Sequence, residues 1–151
     1  MKQYETLRLV KTEDLNHHGT LFAARAAAWF VEAAFTAAGC VCRGSEGIVC
    51  RNLHTMSFQK PVQNGTILRF LARVTATGSS SFLVMVRAED ATDGVVYIEG
   101  AVTFVTIEQE SGKKRVHHIT LDDTTDEEEL RQRREAVRIL SGGRQERKDE
   151  R

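Results

Sequence analysis

DLNHHGTLFAARAAAWFVEAAFTAAG, residues 14–39, is the stretch on which the fold turns. Residues 20–38 hold a run of strong helix formers, most of them alanine. Leu21, Ala24, Ala28, Val31 and Phe35 recur at helical spacing and form one apolar stripe. Asn16 reads as a cap, Gly19 and Thr20 as the opening, and Gly39 as the stop. Residues 20–38 therefore predict a helix about 30 Å long at about 1.5 Å per residue. One carboxylate, Glu32, stands inside it, between Trp29 and Phe35.

Beyond residue 39 the period changes from helical to two. Residues 47–60, 67–77, 81–88 and 95–107 read as strands, and residues 4–11 as a short one before the helix. Gly78, Ser79 and Ser80 make one turn, Asp93 and Gly94 another. The only proline, Pro61, closes a strand where it removes no ladder bond. One long helix and an antiparallel sheet define an α+β fold. A single helix cannot cover both faces of such a sheet, so a homodimer is expected.

The chain is expected to hold one compact domain over residues 1–121 and a charged appendage over 122–151. In the appendage the pairs Glu127–Arg131 and Glu129–Arg133 are spaced i,i+4, acid first, which supports a helix over 125–140. Leu130, Val137 and Leu140 give it a thin stripe suited to a neighbouring subunit, and the segment from Ser141 onward is expected to fray.

The 151 residues carry 21 basic and 21 acidic side chains, a formal net charge of zero. That balance argues against nucleic acid and anionic membranes as partners. No apolar run has membrane-spanning length and the N-terminal stretch lacks a signal-peptide core, so a cytoplasmic location is expected. Cys40, Cys42 and Cys50 lack the spacing of a metal ribbon and read as free thiols.

Four motifs occur in order. They are N-x-x-G-T-L-F from Asn16 followed by Trp29, M-S-F-Q-K-P-V-Q-N-G from Met56, G-S-S-S from Gly78, and G-K-K-R from Gly112. Together they resemble the hotdog superfamily, and within it the acyl-CoA thioesterases, over roughly residues 5–118. The resemblance implies a long helix wrapped by a curved antiparallel sheet. It also implies dimers with active sites at their interface, often built up to tetramers or hexamers. The substrate would be an acyl-CoA thioester, with no separate cofactor or metal. Many such enzymes have an aspartate where this chain has Val31; here the carboxylate is Glu32, one step further on.

That step rotates Glu32 about 100° around the helix, towards Arg25 and Trp29. Glu32 is the candidate base or nucleophile, and an ion pair with Arg25 is its structural alternative. Gly19 N–H, with Thr20, is the candidate oxyanion donor. Asn16 would orient water or thioester, a role compatible with capping. Asp14 is expected to anchor the loop. His18 is expected to line the site and His17 to be structural; His54 is a weaker candidate, and His117 and His118 read as a solvated strand end. Within the resemblance, Gly78, Ser80 and Ser81 match positions that meet the nucleotide or pantetheine. Lys60, Arg87, Lys113, Lys114 and Arg115 would supply charge to CoA phosphates. Two other functions stay open on sequence: a non-catalytic acyl-CoA binder or sensor, in which Val31 marks lost chemistry, and a hotdog hydratase or dehydratase using Asn16 and His18.

Overall fold

The computed structural model describes residues 1–149, with side chains through Gly142. Strand β1 (Tyr4–Leu9) leads through a 3-10 turn (Thr12–Asp14) to helix α1 (Ala23–Val41). Strands β2 (Ile48–Phe58), β3 (Ile67–Thr77), β4 (Ser81–Asp90) and β5 (Val96–Thr106) follow, then helix α2 (Glu127–Asp149). The five strands form one sheet in the order β1-β3-β4-β5-β2, every neighbouring pair antiparallel. The expected α+β architecture, a helix wrapped by an antiparallel sheet, is what forms.

The sheet curves around α1 because β2 carries two register shifts against β5, at Cys50/Asn52 and Leu53/Thr55. Gly100 of β5 faces Thr55 of β2 and the ring of Phe30; a Cβ there would collide with the Thr55 carbonyl and the ring. Phe30 is the largest α1 side chain in the core, packed with Phe70, Phe104, Leu68 and Ile98, all fully buried. Around it Ala26, Ala33, Ala34, Ala37 and Ala38 let the helix lie close to the strands.

This buried face is not the expected stripe. Ala24 and Ala28 are exposed, and Val31 and Phe35 only partly buried. The helix is apolar nearly all round, so periodicity could not tell the face that meets its own sheet from the opposite one. The stripe Ala24, Ala28, Val31 and Phe35 is a second apolar face that this chain covers only in part: Val31 and Phe35 pack against the rim of the core, and Ala24 and Ala28 are exposed. The helix ends also shift. Thr20 bridges to Gln63, and Leu21 N–H bonds the Val62 carbonyl (2.9 Å), so α1 begins only at Ala23. At the other end the helix passes Gly39 and stops when Arg43 takes the left-handed conformation (φ 57°).

α2 also departs from expectation. It docks on its own sheet, where Ala136, Ile139 and Leu140 meet Leu83, Met85 and Ala101, while Val137 points to solvent. It continues through Ser141, Gly142 and on to Asp149; Glu150 and Arg151 lie outside the described residues. The docking edge is ionic. Glu129, only 5% exposed, accepts from Arg133 (2.5 Å) and from the Met1 amino group (2.7 Å) and lies 3.7 Å from Arg73. Burial pushes the Glu129 carboxyl up, but these donors outweigh it and hold the group below the usual glutamate range. Glu128 is held low by its bond from Arg131 against partial burial, with Arg87 assisting. Both groups therefore stabilise the fold above the ordinary glutamate pKa, about 4.3, and lose that contribution as pH falls through the depressed folded values. Acidification below about pH 4 is expected to release α2 before the sheet melts. Hydrogen exchange at acid pH should show amides of α2 losing protection while those of β3 and β4 keep it.

Candidate active site

Most of the candidate residues fall into three groups: ahead of α1, midway along it, and at the far end of the sheet. Ahead of the helix, Asn16 Oδ1 accepts the N–H groups of His18 (2.9 Å) and Thr20 (3.2 Å), closing a tight turn in which Gly19 has φ +78°. Asn16 thus caps this turn and not the helix. Gly19 N–H already donates to the Asn16 carbonyl (3.1 Å), which corrects its assignment as oxyanion donor. His18 is exposed, and its ring lies 3.8 Å from that of His17. Asp14, 5% exposed, accepts Lys11 N–H (3.0 Å), and its carbonyl accepts Phe22 N–H (2.8 Å). It anchors the loop as expected.

No side chain caps α1, and the bond from Ala26 N–H to the Phe22 carbonyl (3.0 Å) closes its first turn. The N–H groups of Ala23, Ala24 and Arg25 have no side-chain or loop acceptor among the described residues. They are the free donors at the positive end of the helix dipole.

Glu32 sits midway along the helix on the flank of the partly exposed stripe, its side chain 61% exposed. Its partner is Arg8 and not Arg25: Arg8 Nη2 donates to Oε2 at 2.8 Å, while Arg25 Nε lies 3.4 Å from Asp14 Oδ1. Arg25 and Glu32 are seven residues apart, about 10 Å along the axis, whereas β1 lays Arg8 directly beside Glu32. Arg8 also stacks over Trp29, 5.9 Å from the ring centre, and Trp29 meets Phe70 edge-on. Thr6, Arg8, Val31, Glu32, Phe35 and Thr36 line a shallow cleft of about 350 Å³. Sequence reasoning missed Arg8, although the period of two places Tyr4, Thr6 and Arg8 on the helix-facing side of β1.

The third group gathers at the far end of the sheet. Thr106 N–H donates to the Ser80 carbonyl (2.8 Å), and Arg115 N–H donates to the Thr106 carbonyl (2.8 Å). One strand end therefore joins the 78–81 turn to the basic run Lys113, Lys114 and Arg115. Lys113 and Lys114 are exposed beside it. Lys60 is not part of this group: its Nζ lies 5.8 Å from the ring of Tyr97, at the opposite end of β5. Nine residues of strand, about 30 Å, separate Tyr97 from Thr106. Arg87 is engaged with Glu89 and Glu128 on the α2 side. His54 is bonded to Thr103 Oγ1 (2.6 Å) on β5.

Against this geometry, a family model described as the thioesterase superfamily matches residues 18–97, and the chain belongs to that family. Among solved structures, an acyl-CoA hydrolase from Bacillus cereus is 26% identical, with 98% of this chain and 89% of that chain covered and a TM-score of 0.78. One from Staphylococcus aureus, in complex with butyryl coenzyme A and coenzyme A, is 26% identical over 98% of this chain and 93% of that one, with a TM-score of 0.70. A hexameric acyl-CoA thioesterase matches the fold at a TM-score of 0.81 with 24% identity, over 95% of this chain and 92% of that one. A search of the curated protein sequences finds no match.

The Asn16 turn yields a direct prediction. Asn16→Ala leaves the His18 and Thr20 N–H groups without their acceptor and is expected to cost about 1 kcal/mol of stability. Urea denaturation of the two proteins measures it.

Proposed function

We propose that the protein hydrolyses acyl-CoA thioesters to coenzyme A and a carboxylic acid, at sites built between two copies. The observation that carries the two-copy site is a distance. Glu32 lies nine residues from Ala23, about 13 Å along the axis, too far for Glu32 and the free N–H groups at the start of α1 to serve one carbonyl. The 78–81 turn lies beyond the other helix end. A site using all three needs a second chain, and the partly exposed stripe Ala24, Ala28, Val31 and Phe35 supplies an apolar face for it. Strand β2, with Val49, Leu53 and Phe58 exposed on a sheet edge, offers a second contact. A hexameric relative supports assembly beyond the dimer.

In this reading Arg8 holds Glu32 through Oε2 and leaves Oε1 to take a proton from water. The water oxygen attacks the thioester carbon, and the oxyanion sits on the first-turn N–H groups of the other copy's α1. Collapse breaks the carbon–sulfur bond and the proton passes to the departing thiolate. Asn16 keeps the approach to the helix start in shape. At the far end the carbonyls of Ser79 and Ser80 are taken up by backbone donors of the 106–117 segment, so the turn is free to offer N–H and hydroxyl groups outward. With Lys113 and Lys114 beside it, it suits the phosphates of coenzyme A.

The three cysteines are unpaired, in keeping with a reducing compartment, and we place the protein in the cytoplasm. Among the described residues no helix is long and apolar enough to cross a membrane. The test is release of free thiol from short, medium, long and aromatic acyl-CoAs. Turnover of at least one class is expected; tight binding without turnover of any would overturn hydrolysis.

A further inference from the structure

His117 stands outside the expected solvated strand end. It is partly buried, and both ring nitrogens meet backbone groups. Nδ1 accepts from Ile119 N–H (2.9 Å), and Nε2 faces the Ser81 carbonyl (3.0 Å). A backbone N–H can only donate and a carbonyl only accept, so the pair defines the tautomer: the proton is on Nε2. His117 N–H also donates to the Ser79 carbonyl (3.1 Å), and the ring meets Phe82 edge-on at 5.5 Å. His118 then takes the left-handed conformation (φ 56°), which swings Ile119 back onto Nδ1. That conformation is uncommon outside glycine and persists where neighbouring bonds hold it.

We propose that His117 is the positioning residue of the 78–81 turn, fixing it for coenzyme A while the ring is neutral and releasing it on protonation. This rests on the reading of the turn as the coenzyme A contact. The Ser81 carbonyl takes two donors, Gly78 N–H (2.7 Å) and His117 Nε2–H, so the ring braces the bond that closes the turn. An imidazolium would set an N–H at Nδ1 against the N–H of Ile119, and the 117–119 bend would open. The groups facing the ring are neutral: the Ser79 and Ser81 carbonyls of the turn, Phe82 of β4 and Ile119 of its own segment. Of the charged or titratable groups near that end, Arg115 reaches to the Glu46 carbonyl (3.3 Å), and Lys113, Lys114 and His118 are exposed. Cys42 of α1 is a thiol that burial pushes up, against the pull of Arg115. Among the described residues no carboxylate pairs with the ring to favour its charged form.

The experiment uses coenzyme A as the probe, with calorimetric affinities between about pH 8 and about pH 5, and the nitrogen-15 shifts of His117 in the native protein. Native affinity is expected to fall about tenfold as the ring gains its proton, with kcat moving less than KM for an acyl-CoA substrate. His117→Ala should bind at every pH about tenfold more weakly than the native protein does with its ring neutral. His117→Gln, which keeps an uncharged amide donor for Ser81, should bind near the native level without the pH dependence. The inference falls if His117→Gln retains the native pH profile, if His117→Ala binds as the native protein does at about pH 8, or if the shifts place the proton on Nδ1. Failure of the native protein to bind coenzyme A at any pH would instead overturn the assigned ligand, and the inference with it.

Discussion

Glu32→Gln is expected to lower kcat for acyl-CoA hydrolysis by about 10²–10⁴-fold, the range for losing a general base. The glutamine keeps the size of the side chain and can still accept a bond from Arg8, but it cannot take a proton from water. Acyl-CoA affinity should remain, since the proposed nucleotide contacts lie at the far end of the sheet. Stability should hardly change. The Arg8–Glu32 pair is exposed at both ends, 40% and 61%, and such pairs contribute little. That combination separates a catalytic from a purely structural carboxylate. An ion-pair residue alone would give unchanged turnover, and suspicion would pass to the Asn16 turn. Steady-state thiol release and thermal melting of the same two proteins decide between them.

The second large effect concerns the helix seat. Phe30 is completely buried against Gly100 and the aromatic side chains of β3 and β5, and Phe30→Ala should destabilise the fold by about 3–5 kcal/mol. The cavity cannot close easily, because the neighbouring α1 positions are already alanine and the strands are fixed by their ladders. Denaturant unfolding with an unchanged m-value would measure it. A cost below about 1 kcal/mol would mean that α1 is not held by this ring.

The strands were legible in the sequence nearly to the residue, because alternation and turn chemistry act locally: 67–77 was expected and Ile67–Thr77 is found. The buried face of α1 was not, since an alanine-rich helix has no polar face to mark its outside. The start of α1 was misplaced for a different reason. Thr20 and Leu21 have helical neighbours in sequence, but they pair with Gln63 and Val62, a tertiary contact no local pattern announces. The same holds for Glu32, whose partner arrives on β1, and for His117, whose ring meets a carbonyl 36 positions earlier. Motif order named the 78–81 turn and the 112–115 run separately; what joins them at one end of β5 is a pair of backbone bonds through Thr106, whereas Lys60, drawn in by charge alone, lies at the other end.

The division of labour between copies is tested most directly by mixing two lesions. Asn16→Ala, expected to lower activity by disturbing the approach to the helix start, and Glu32→Gln, expected to lower it by removing the base, are co-expressed so that mixed dimers form. If the helix start and Glu32 act from different chains, each mixed dimer holds one site free of both lesions, and activity should return to about a quarter of the native level. Activity that stays at the level of the separate variants would contradict a site shared between two chains.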